Sequence, residues 1–434
     1  MDSVKIGLIG FGTIGASVVR ILQKNGDIIG QRLGASLDLV KIADLDITTD
    51  RGVTVAPEML TTRAGDVLED PAIDVVIELI GGYEPARSFV LQAISRKKSV
   101  VTANKALLAR HGDEILSEAE RQGVAIRFEA AVGGAIPIIR SIKEAFVANR
   151  IHAIEGIVNG TANYILSKMT DDHVDFQDAL KEAQAKGFAE ADPTFDIEGI
   201  DSAHKIAVLT RLAYGTPVRF EDIYVQGITS ITREDIRCAQ EFGFRIKLLA
   251  ISKFDGTSID LRVHPAMLPE DKPIANVNGV FNAILVRDDL MEENLLVGHG
   301  AGGLPTGSAV VADVVDIARD IRSGSRGRVP PQAFPVASLQ NIPLKKIEQI
   351  EAEYFLRFLV LDKPGVLSRI SGILGQFGIS IESMIQRRRD SEGKGVPLVM
   401  MTHLSREKQV QAALEEIDRL DFVCEPTVLI RVEK

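Results

Sequence analysis

A glycine-rich stretch near the N-terminus constrains the fold more than any other feature of this sequence. The run Gly10-Phe11-Gly12-Thr13-Ile14-Gly15 follows an apolar, strand-like segment, VKIGLIG, and opens a helical one, ASVVRIL. Between a strand and a helix, G-x-G-x-x-G predicts a turn whose backbone can approach a pyrophosphate at a helix N-terminus. The alternative is a tight turn that binds nothing. We therefore expect a dinucleotide-binding domain.

Short apolar runs alternate with helical stretches over the first 130 residues. Strands that alternate with helices are typical of a parallel, doubly wound sheet, so we expect an α/β, Rossmann-like domain. The runs that read as strands are 4–10, 37–44, 73–82, 99–103 and 124–130.

The sequence changes character after this first sheet. Residues 133–300 mix longer helical patterns with strand-like pieces and predict an α+β domain. The stretch 301–321 reads as one helix with Thr306 as its N-cap. Residues 323–338 are rich in Gly, Pro and Ser and read as a linker. Residues 353–434 follow the order βαββαβ, which is the ferredoxin-like pattern.

The net charge and the cysteines exclude several classes of protein. The 434 residues carry a formal charge of −10, which argues against a nucleic-acid partner. The sequence has no run of about 18 apolar residues, so we expect no membrane span, and the N-terminus reads as a first strand rather than a signal peptide. Cys238 and Cys424 are too far apart for a CxxC metal site or a disulfide framework. We expect a cytoplasmic acidic enzyme or sensor.

Asp44 ends the second predicted strand. A carboxylate there can accept a hydrogen bond from the ribose 2′-OH of NAD and would repel the 2′-phosphate of NADP. Its distance from the glycines exceeds the usual interval of about 20 residues, which implies a longer first crossover. Arg51 is close enough in sequence to oppose this charge effect. The residues favour NAD over NADP, and the alternative is an aspartate in a solvated turn.

The stretch AEADPTFDIEGIDSAHK, residues 189–205, is dense in carboxylates and is called the acidic segment. Its proline and glycine exclude a regular helix over much of its length. Asp201 and Lys205 are four apart at the start of a helical pattern, so they share one helix face, as a surface ion pair would. Around a pocket, these acids could instead hold an ammonium-bearing substrate and keep a lysine charged. The acids are Glu190, Asp192, Asp196, Glu198 and Asp201.

A second lysine follows a strand end. Lys105, in VVTANKALLA, comes directly after the predicted strand 99–103, and open α/β sheets bind ligands outside the carboxyl ends of their strands. Hydride exchange with a nicotinamide requires that the accompanying oxygen gain or lose a proton, and a nearby lysine can act as acid/base or polarise the carbonyl. The alternative is a solvent-facing helix lysine. Lys105 and Lys205 are the candidate catalytic residues.

Four motifs together carry a family resemblance. In chain order, VTANKALLA (101–109), NGTANYIL (159–166), GFAEADPTFDIEGIDSAHK (187–205) and GHGAGGLPTGSAVVADVV (298–315) closely resemble homoserine dehydrogenase. This resemblance covers residues 1 to about 325. Residues 353–434, with the run DKPGVL at 362–367, resemble an ACT domain, a module that senses small molecules.

The resemblance implies reversible reduction of aspartate 4-semialdehyde to homoserine with NAD(P)H, in the route to threonine and methionine. Lys105 and Lys205 would be the catalytic amines. Many family members carry an arginine at the end of the second strand, where this chain has Ala43-Asp44, and this departure also favours NAD. The implied substrate-binding residues are Glu190, Asp196, Asp201, Gly160 and Thr161. The implied cofactor-binding residues are Gly10, Phe11, Gly12, Thr13, Ile14, Gly15, Asp44, Thr102, Lys105 and Gly302.

Two further sites are implied. In the family, a monovalent cation such as sodium can be held mainly by backbone carbonyls, and the matching residues are Glu129, Val132, Gly134 and Ile136. The ACT resemblance implies feedback control with threonine as the expected effector, and the alternative is a structural or dimerising module without a ligand. The expected effector loop, where a helix N-terminus can bind a carboxylate, comprises Asp362, Pro364, Gly365 and Val366.

The resemblance also implies a homo-oligomer, a dimer or tetramer, in which exposed ACT strands offer a second interface. The run Arg387–Arg389 reads as a solvated strand end rather than a binding patch. The expected domains are a dinucleotide-binding domain of 1–132 plus 301–325, a substrate-binding and dimerisation domain of 133–300, a linker of 326–352 and an ACT domain of 353–434.

Three other functions compete with the dehydrogenase. An enzyme that oxidises the same semialdehyde would need a cysteine nucleophile, and neither Cys238 nor Cys424 lies near the cofactor motifs in sequence. A catalytically silent sensor would not need both lysines and the intact acidic segment. A 2-hydroxy-acid dehydrogenase normally uses a His–carboxylate pair with an arginine clamp, and the sequence gives no sign of that arrangement.

Overall fold

A computed structural model describes residues 3–325, 327–386 and 395–434. The run Arg387–Arg389 lies outside the described residues. The chain forms two compact units. The first contains the chain up to Gly160 together with Asp201–Glu221 and Val280–Ile342, and the second contains Thr161–Ile200, Asp222–Gly279 and the chain from Pro343 onward.

The strands of the described residues are numbered in chain order. They are β1 (Ser3–Ile9), β2 (Ser36–Ala43), β3 (Leu60–Thr61), β4 (Val75–Glu78), β5 (Ser99–Thr102), β6 (Ile126–Arg127), β7 (Ile151–Ile157), β8 (Tyr224–Val225), β9 (Phe244–Phe254), β10 (Ile259–Pro269), β11 (Phe281–Asp288), β12 (Glu292–His299), β13 (Glu351–Val360), β14 (Ile381–Gln386), β15 (Val396–Thr402), β16 (Ser405–Arg406) and β17 (Val423–Val432).

The α-helices of the described residues are numbered in the same way. They are α1 (Thr13–Leu33), α2 (Gly65–Leu68), α3 (Ala86–Ser95), α4 (Lys105–Gln122), α5 (Ile138–Arg140), α6 (Gly160–Asp171), α7 (Phe176–Ala185), α8 (Thr194–Ile197), α9 (Ile200–Tyr214), α10 (Arg233–Glu241), α11 (Gly303–Ser323), α12 (Val366–Gln376) and α13 (Glu407–Ile417).

The first unit contains the predicted parallel sheet. Its strand order is β3-β2-β1-β4-β5-β6, and β1 pairs in parallel with both β2 and β4. The strand order reverses at β1, and open α/β sheets bind ligands at such a switch point. The Rossmann-like α/β prediction is confirmed. The short strand β3 was not predicted, and the predicted strand at 73–82 is confined to β4, since the chain turns at Gly81 and Gly82, both with positive φ.

Helices α1 and α11 pack together over one face of this sheet. Their buried side chains, such as Val18 and Val314, join Ile6 and Ile77 in one apolar core. A Cβ at Gly303 would lie 2.5 Å from the Ser17 hydroxyl, so the absence of a side chain lets α11 approach α1 closely. The first unit also contains the antiparallel strands β12, β11 and β7, with β11 in the middle.

The prediction that Thr306 caps α11 is wrong. The helix begins at Gly303, with Gly302 as its N-cap at a φ of 120°. Glycine tolerates this conformation, and Pro305 fits the first turn because a proline there loses no intrahelical hydrogen bond. Thr306 is therefore already helical, and its N–H donates to the Gly302 carbonyl.

The second unit is built on a mixed sheet with the order β9-β10-β17-β13-β15-β14. Strand β8 pairs with β10, and β16 pairs with β13. The C-terminal order β13-α12-β14-β15-α13-β17 confirms the predicted βαββαβ module. Its core packs Ile370 and Leu374 of α12 and Val410 of α13 against Leu356 and Phe358 of β13. Within the described ranges, no helix has both the length and the apolar character needed to cross a membrane.

Gly15→Ala should destabilise the first unit. The new methyl group would lie 2.2 Å from the Gly10 carbonyl oxygen, so α1 would have to move away from β1. We expect the thermal midpoint to fall by about 5 °C, the shift that about 2 kcal/mol of overpacking produces in a unit of this size. Circular dichroism at 222 nm measures it, because the chain has no tryptophan for fluorescence.

Gly12→Ala is the matched control for this variant. A Cβ at Gly12 meets no atom within 4 Å, and its φ of −70° suits any residue. Its thermal midpoint should stay within about 1 °C of the parent. Equal losses in the two variants would contradict the close approach of α1 to β1.

Candidate active site

Two lysines meet on one carboxylate in the first unit. Lys105 Nζ lies 2.9 Å from Asp201 Oδ1, and Lys205 Nζ lies 2.7 Å from Asp201 Oδ2. The side chain of Lys105 is 35% exposed, whereas those of Lys205 and Asp201 are 9% and 6% exposed. The site therefore has one amine open to solvent and one enclosed, with a shared buried counter-ion. The structure brings together both predicted catalytic lysines.

The charge of Asp201 is set by opposing effects. Burial favours the neutral acid, but the ammonium groups of Lys205 and Lys105 and hydrogen bonds from Lys205 and Asn159 outweigh it. Together they hold the pKa of Asp201 well below its usual range. Asp201 is therefore a carboxylate at neutral pH.

Lys205 is fixed from both sides. It belongs to α9, one helical turn after Asp201, and its ammonium group also donates to the Val158 carbonyl at 2.5 Å. Asn159 donates from its side chain to Asp201 Oδ2 at 2.9 Å. Val158 and Asn159 directly follow β7, so the end of that strand holds the amine and its counter-ion in register.

The start of α4 positions Lys105. Asn104 is the N-cap, because its side-chain oxygen accepts from the Leu107 N–H at 3.1 Å while its amide donates to the Gly82 carbonyl at 2.7 Å. The Thr102 hydroxyl accepts from the Asn104 N–H at 3.0 Å and donates to a carboxylate oxygen of Glu78 at 2.6 Å. Lys105 is the first residue of the helix capped in this way.

Glu78 is a buried acid at the carboxyl end of β4. Burial raises its pKa, against hydrogen bonds from Thr102 and from the N–H groups of Ile80 and Gly81. It joins the ends of β4 and β5 at the edge of the sheet where α4 starts. Neither Glu78 nor the Asn104 cap was predicted from the sequence. The sign of Glu78 is a carboxylate within the apolar run IDVVIELIGG, and the sign of the cap is an asparagine directly before the helical stretch KALLA.

The glycine turn fits a bound dinucleotide. Gly10 has a φ of 103°, and a Cβ there would lie 2.6 Å from the backbone of Leu79, so it allows the tight turn. A Cβ at Gly15 would collide with the Gly10 carbonyl, which shows close packing of helix and strand. At Gly12 the space is open, so a pyrophosphate could approach the backbone there. These are the three separate tasks of the glycines in a dinucleotide-binding turn.

A cavity of about 510 Å³ adjoins this turn, within the size range of ligand sites. Asp44 lines it and accepts hydrogen bonds from the N–H groups of Phe11 and Asp46. Arg51 is paired with Asp46, 3.0 Å away. The other predicted cofactor residues of the turn, Thr13 and Ile14, open α1.

Several predicted substrate residues belong to the second unit. Glu190 is exposed, Asp196 lies half-buried on α8, and Thr161 donates from its hydroxyl to the Phe188 carbonyl at 2.6 Å. Gly160, in the first unit, lies so close to the Val280 carbonyl that a Cβ would be 2.8 Å from that oxygen.

The predicted cation loop is a tight backbone turn. Gly134 has a φ of 53°, and the Glu129 carboxylate accepts from the N–H groups of Ile139 and Arg140, both at 2.8 Å. Among the residues with described positions, no group of three or more His, Cys, Asp or Glu side chains could hold a metal ion. Backbone carbonyls such as those of Val132 and Ile136 would have to supply most ligands of a cation here.

The predicted effector loop joins β13 to α12. Gly365 is the N-cap of α12 at a φ of 89°, and Asp362 and Pro364 are exposed. Val366 is buried and opens the helix. The loop thus offers an accessible helix N-terminus.

Three sequence profiles of known protein families match this chain. The sequence profile "Homoserine dehydrogenase" matches residues 137–315, and the profile "Homoserine dehydrogenase, NAD binding domain" matches residues 10–129. The profile "ACT domain" matches residues 354–422.

Full-length relatives agree with these profiles. A homoserine dehydrogenase of Pseudomonas aeruginosa is 44% identical over 436 residues, with 100% of both chains covered, and one of Neisseria gonorrhoeae is 44% identical, with 100% of this chain and 99% of the relative covered. The crystal structure of a homoserine dehydrogenase from Thiobacillus denitrificans matches with a TM-score of 0.94 and 45% identity, covering 100% of this chain and 98% of that one.

Asp201→Asn should destabilise the first unit. The neutral amide would leave two ammonium groups near each other without their buried counter-charge, and breaking a buried ion pair costs about 3 kcal/mol or more. We expect the thermal midpoint at pH 7 to fall by about 8 °C. The control is Asp192→Asn, which changes an exposed acid of the acidic segment whose side chain accepts a hydrogen bond from Thr194 in its own loop. This variant should shift the thermal midpoint by less than about 2 °C.

The difference between parent and Asp201→Asn should depend on pH. The folded-state pKa of Asp201 lies below its unfolded value of about 3.9, so its stabilising effect is complete above that pH and is lost as the pH falls. The thermal midpoints of the parent and the variant should therefore approach each other as the pH is lowered from 7 to 3. Parallel curves would mean that the ionised carboxylate is not the source of the stability.

Proposed function

Because this chain belongs to the homoserine dehydrogenase family, we propose that Lys205 and Lys105, joined through Asp201, perform the proton chemistry of the reversible reduction of aspartate 4-semialdehyde to homoserine. Family membership makes the chain an NAD(P)-dependent oxidoreductase acting on a CH–OH group. The observation that carries the proposal is the pair of ammonium groups 2.9 and 2.7 Å from the two oxygens of one buried carboxylate.

The two amines have different surroundings and therefore different tasks. Bound nicotinamide supplies the hydride that the aldehyde carbon accepts. Lys205, enclosed and held by Val158 and Asp201, is the candidate proton donor to the oxygen that becomes the hydroxyl group. Lys105, more open to solvent, stabilises negative charge on that oxygen electrostatically. Asp201 orients both amines through its two carboxylate oxygens.

The substrate is an amino acid, and its ammonium group needs carboxylate partners. Three carboxylates of the acidic segment are assigned to this task, namely Glu190, Asp196 and Asp201. The backbone of Gly160 and Thr161, at the start of α6, is assigned to the pocket wall.

NAD is the favoured cofactor. Asp44 lines the cavity beside the glycine turn, and its charge opposes a 2′-phosphate. Arg51, which could reverse that preference, is engaged with Asp46. The residues assigned to the cofactor are the glycine turn, Asp44, Thr102, Lys105 and Gly302.

Threonine is the proposed effector of the ACT domain. The loop from Asp362 to Val366 is accessible and ends in the N-terminus of α12, which favours a carboxylate. A module without a ligand, serving only structure or dimerisation, is the competing interpretation.

Other parts of the proposal rest on the sequence and the family resemblance. They are a monovalent cation at Glu129, Val132, Gly134 and Ile136, a dimeric or tetrameric assembly, a role in threonine and methionine biosynthesis, a cytoplasmic location and the division of the chain into three domains and a linker.

Lys205→Ala should lower kcat for homoserine oxidation by about 1000-fold, within the usual range for loss of a general acid or base. NAD binding, measured by calorimetry, should persist because the amine lies outside the glycine turn. Lys168→Ala removes a lysine of α6 that pairs with Asp172 and Glu182, and should keep nearly full activity. Unchanged turnover in Lys205→Ala would remove this residue from the mechanism.

Asp44→Asn should shift cofactor preference towards NADP. The amide oxygen can still accept the hydrogen bond from Phe11, but the charge that opposes the 2′-phosphate is gone. The ratio of kcat/KM for NADP to that for NAD, followed at 340 nm, should rise about tenfold. Asp38→Asn, near the start of the same strand, should leave the ratio unchanged. An unaltered ratio in Asp44→Asn would show that Asp44 does not read the ribose.

Threonine should inhibit the parent enzyme at least about fivefold at saturation, a typical lower value for allosteric coupling. Asp362→Ala, an exposed change in the effector loop, should keep basal activity and weaken inhibition, whereas Glu415→Ala on α13 should not affect it. Titration of homoserine-dependent NAD reduction with threonine measures both. Absence of any threonine effect on the parent would favour the purely structural module.

A further inference from the structure

The C-terminal module is built into the sheet of the second unit. Strand β17 runs parallel to β10, with Ala266 opposite Arg431 and Met267 opposite Val432. The N–H of Glu433 continues this pairing by donating to the Met267 carbonyl at 2.9 Å. The module is thus joined by backbone hydrogen bonds as well as by the chain that leads to it.

Buried ion pairs cross the same junction. Arg262 of β10 lies 2.6 Å from Glu433, and the two side chains are 3% and 4% exposed. Arg357 of β13 lies 2.5 Å from Asp235 of α10, whose side chain is fully buried. A buried charge needs an oppositely charged group at close distance to offset its lost hydration. These pairs therefore fix the position of the module against β10 and α10.

Arg431 extends from β17 beyond its own module. Its guanidinium is held by Glu407 of α13 and is 1% exposed. From there it donates to the side-chain oxygen of Gln226 at 3.3 Å and to the Tyr224 hydroxyl at 3.5 Å, and its carbon lies 5.0 Å from the centre of the Tyr224 ring. The Tyr224 hydroxyl also donates to Gln226, at 3.2 Å. One buried cation therefore organises the end of β8.

The chain directly after Gln226 packs on the acidic segment. The Ile228 N–H donates to the Ile197 carbonyl at 2.8 Å, and the Thr229 hydroxyl donates to the Glu198 carboxylate at 3.1 Å. A Cβ at Gly227 would lie 2.5 Å from the Ile197 carbonyl, so the two backbones touch. These contacts hold the end of α8, next to the proposed substrate-binding Asp196.

We propose that Arg431 of the C-terminal module is a positioning residue for the acidic segment, acting through Tyr224 and Gln226. The inference rests on the proposed role of this segment in substrate binding. Arg431 does not touch the substrate. It fixes the connection 226–229, and that connection fixes residues 197 and 198. A shift of β17 would thus be passed to the substrate-binding acids through three consecutive contacts.

The direct test is hydrogen–deuterium exchange of the full-length protein. Gln226→Leu removes the acceptor shared by Arg431 and Tyr224, and peptides covering 194–200 should exchange about fivefold faster than in the parent, as expected for loss of part-buried hydrogen bonds. Gln226→Glu restores an acceptor and should restore protection. Gln240→Leu, at a half-buried glutamine of α10, is the control and should leave these peptides unchanged. Unchanged exchange in Gln226→Leu would overturn the proposal.

Kinetics provide the functional readout. Gln226→Leu should raise KM for homoserine about fivefold, with kcat and KM for NAD unchanged, and Gln226→Glu should reverse the effect. A general loss of kcat, or no change in KM for homoserine, would contradict a positioning role. If Gln226→Leu does not fold, Tyr224→Phe, which removes only a hydroxyl group, serves for both measurements.

Asp196→Asn separates this inference from the proposed function. If that variant leaves KM for homoserine unchanged, Asp196 does not bind the substrate, and the kinetic expectation fails with it. The exchange experiment still decides whether the contacts of Gln226 with Arg431 and Tyr224 hold the segment, because it needs neither substrate nor activity.

Discussion

The buried carboxylate of Asp201 accepts two ammonium groups at once, and the first unit is arranged around that requirement. Removing such ions from water costs several kcal/mol each, so the carboxylate is tolerated only while both amines and Asn159 contact it. Lys205 reaches it along one turn of α9. Lys105 reaches it from the first residue of α4. The two helices must therefore hold a fixed distance, and the sheet and its caps provide it.

The same sheet edge holds the glycine turn and the start of α4. Gly10 follows β1, and Thr102 ends β5, so both lie at carboxyl ends of parallel strands, which meet at one edge. Glu78 ties β4 to β5 at this edge, and Asn104 then starts the helix that presents Lys105. A parallel sheet thus brings the glycine turn and the proposed catalytic amine of Lys105 together from segments about 90 residues apart.

Local patterns predicted the parts of this site that depend on short spacing. The four-residue interval between Asp201 and Lys205 predicted that they share one helix face. The glycine run predicted the turn between the first strand and the first helix. The hydrogen bond from Asn159 to Asp201 joins residues 42 apart and has no local pattern, so it was not predicted. The Thr306 cap was predicted wrongly because a threonine before an apolar run looks like a start, whereas Gly302 begins the helix earlier. Contacts between distant segments, such as Arg431 with Gln226, were beyond sequence reasoning for the same reason.

A double-mutant cycle in Lys105→Met and Lys205→Met, measured as the rate of hydride transfer from homoserine in a single turnover, shows whether the two lysines act as one unit. In the proposed mechanism both amines act through one carboxylate on one oxygen, so their losses should not add. We expect the double variant to be about as slow as the slower single variant. Losses that multiply in full would mean that the two lysines act independently, and the proposed coupling through Asp201 would be wrong.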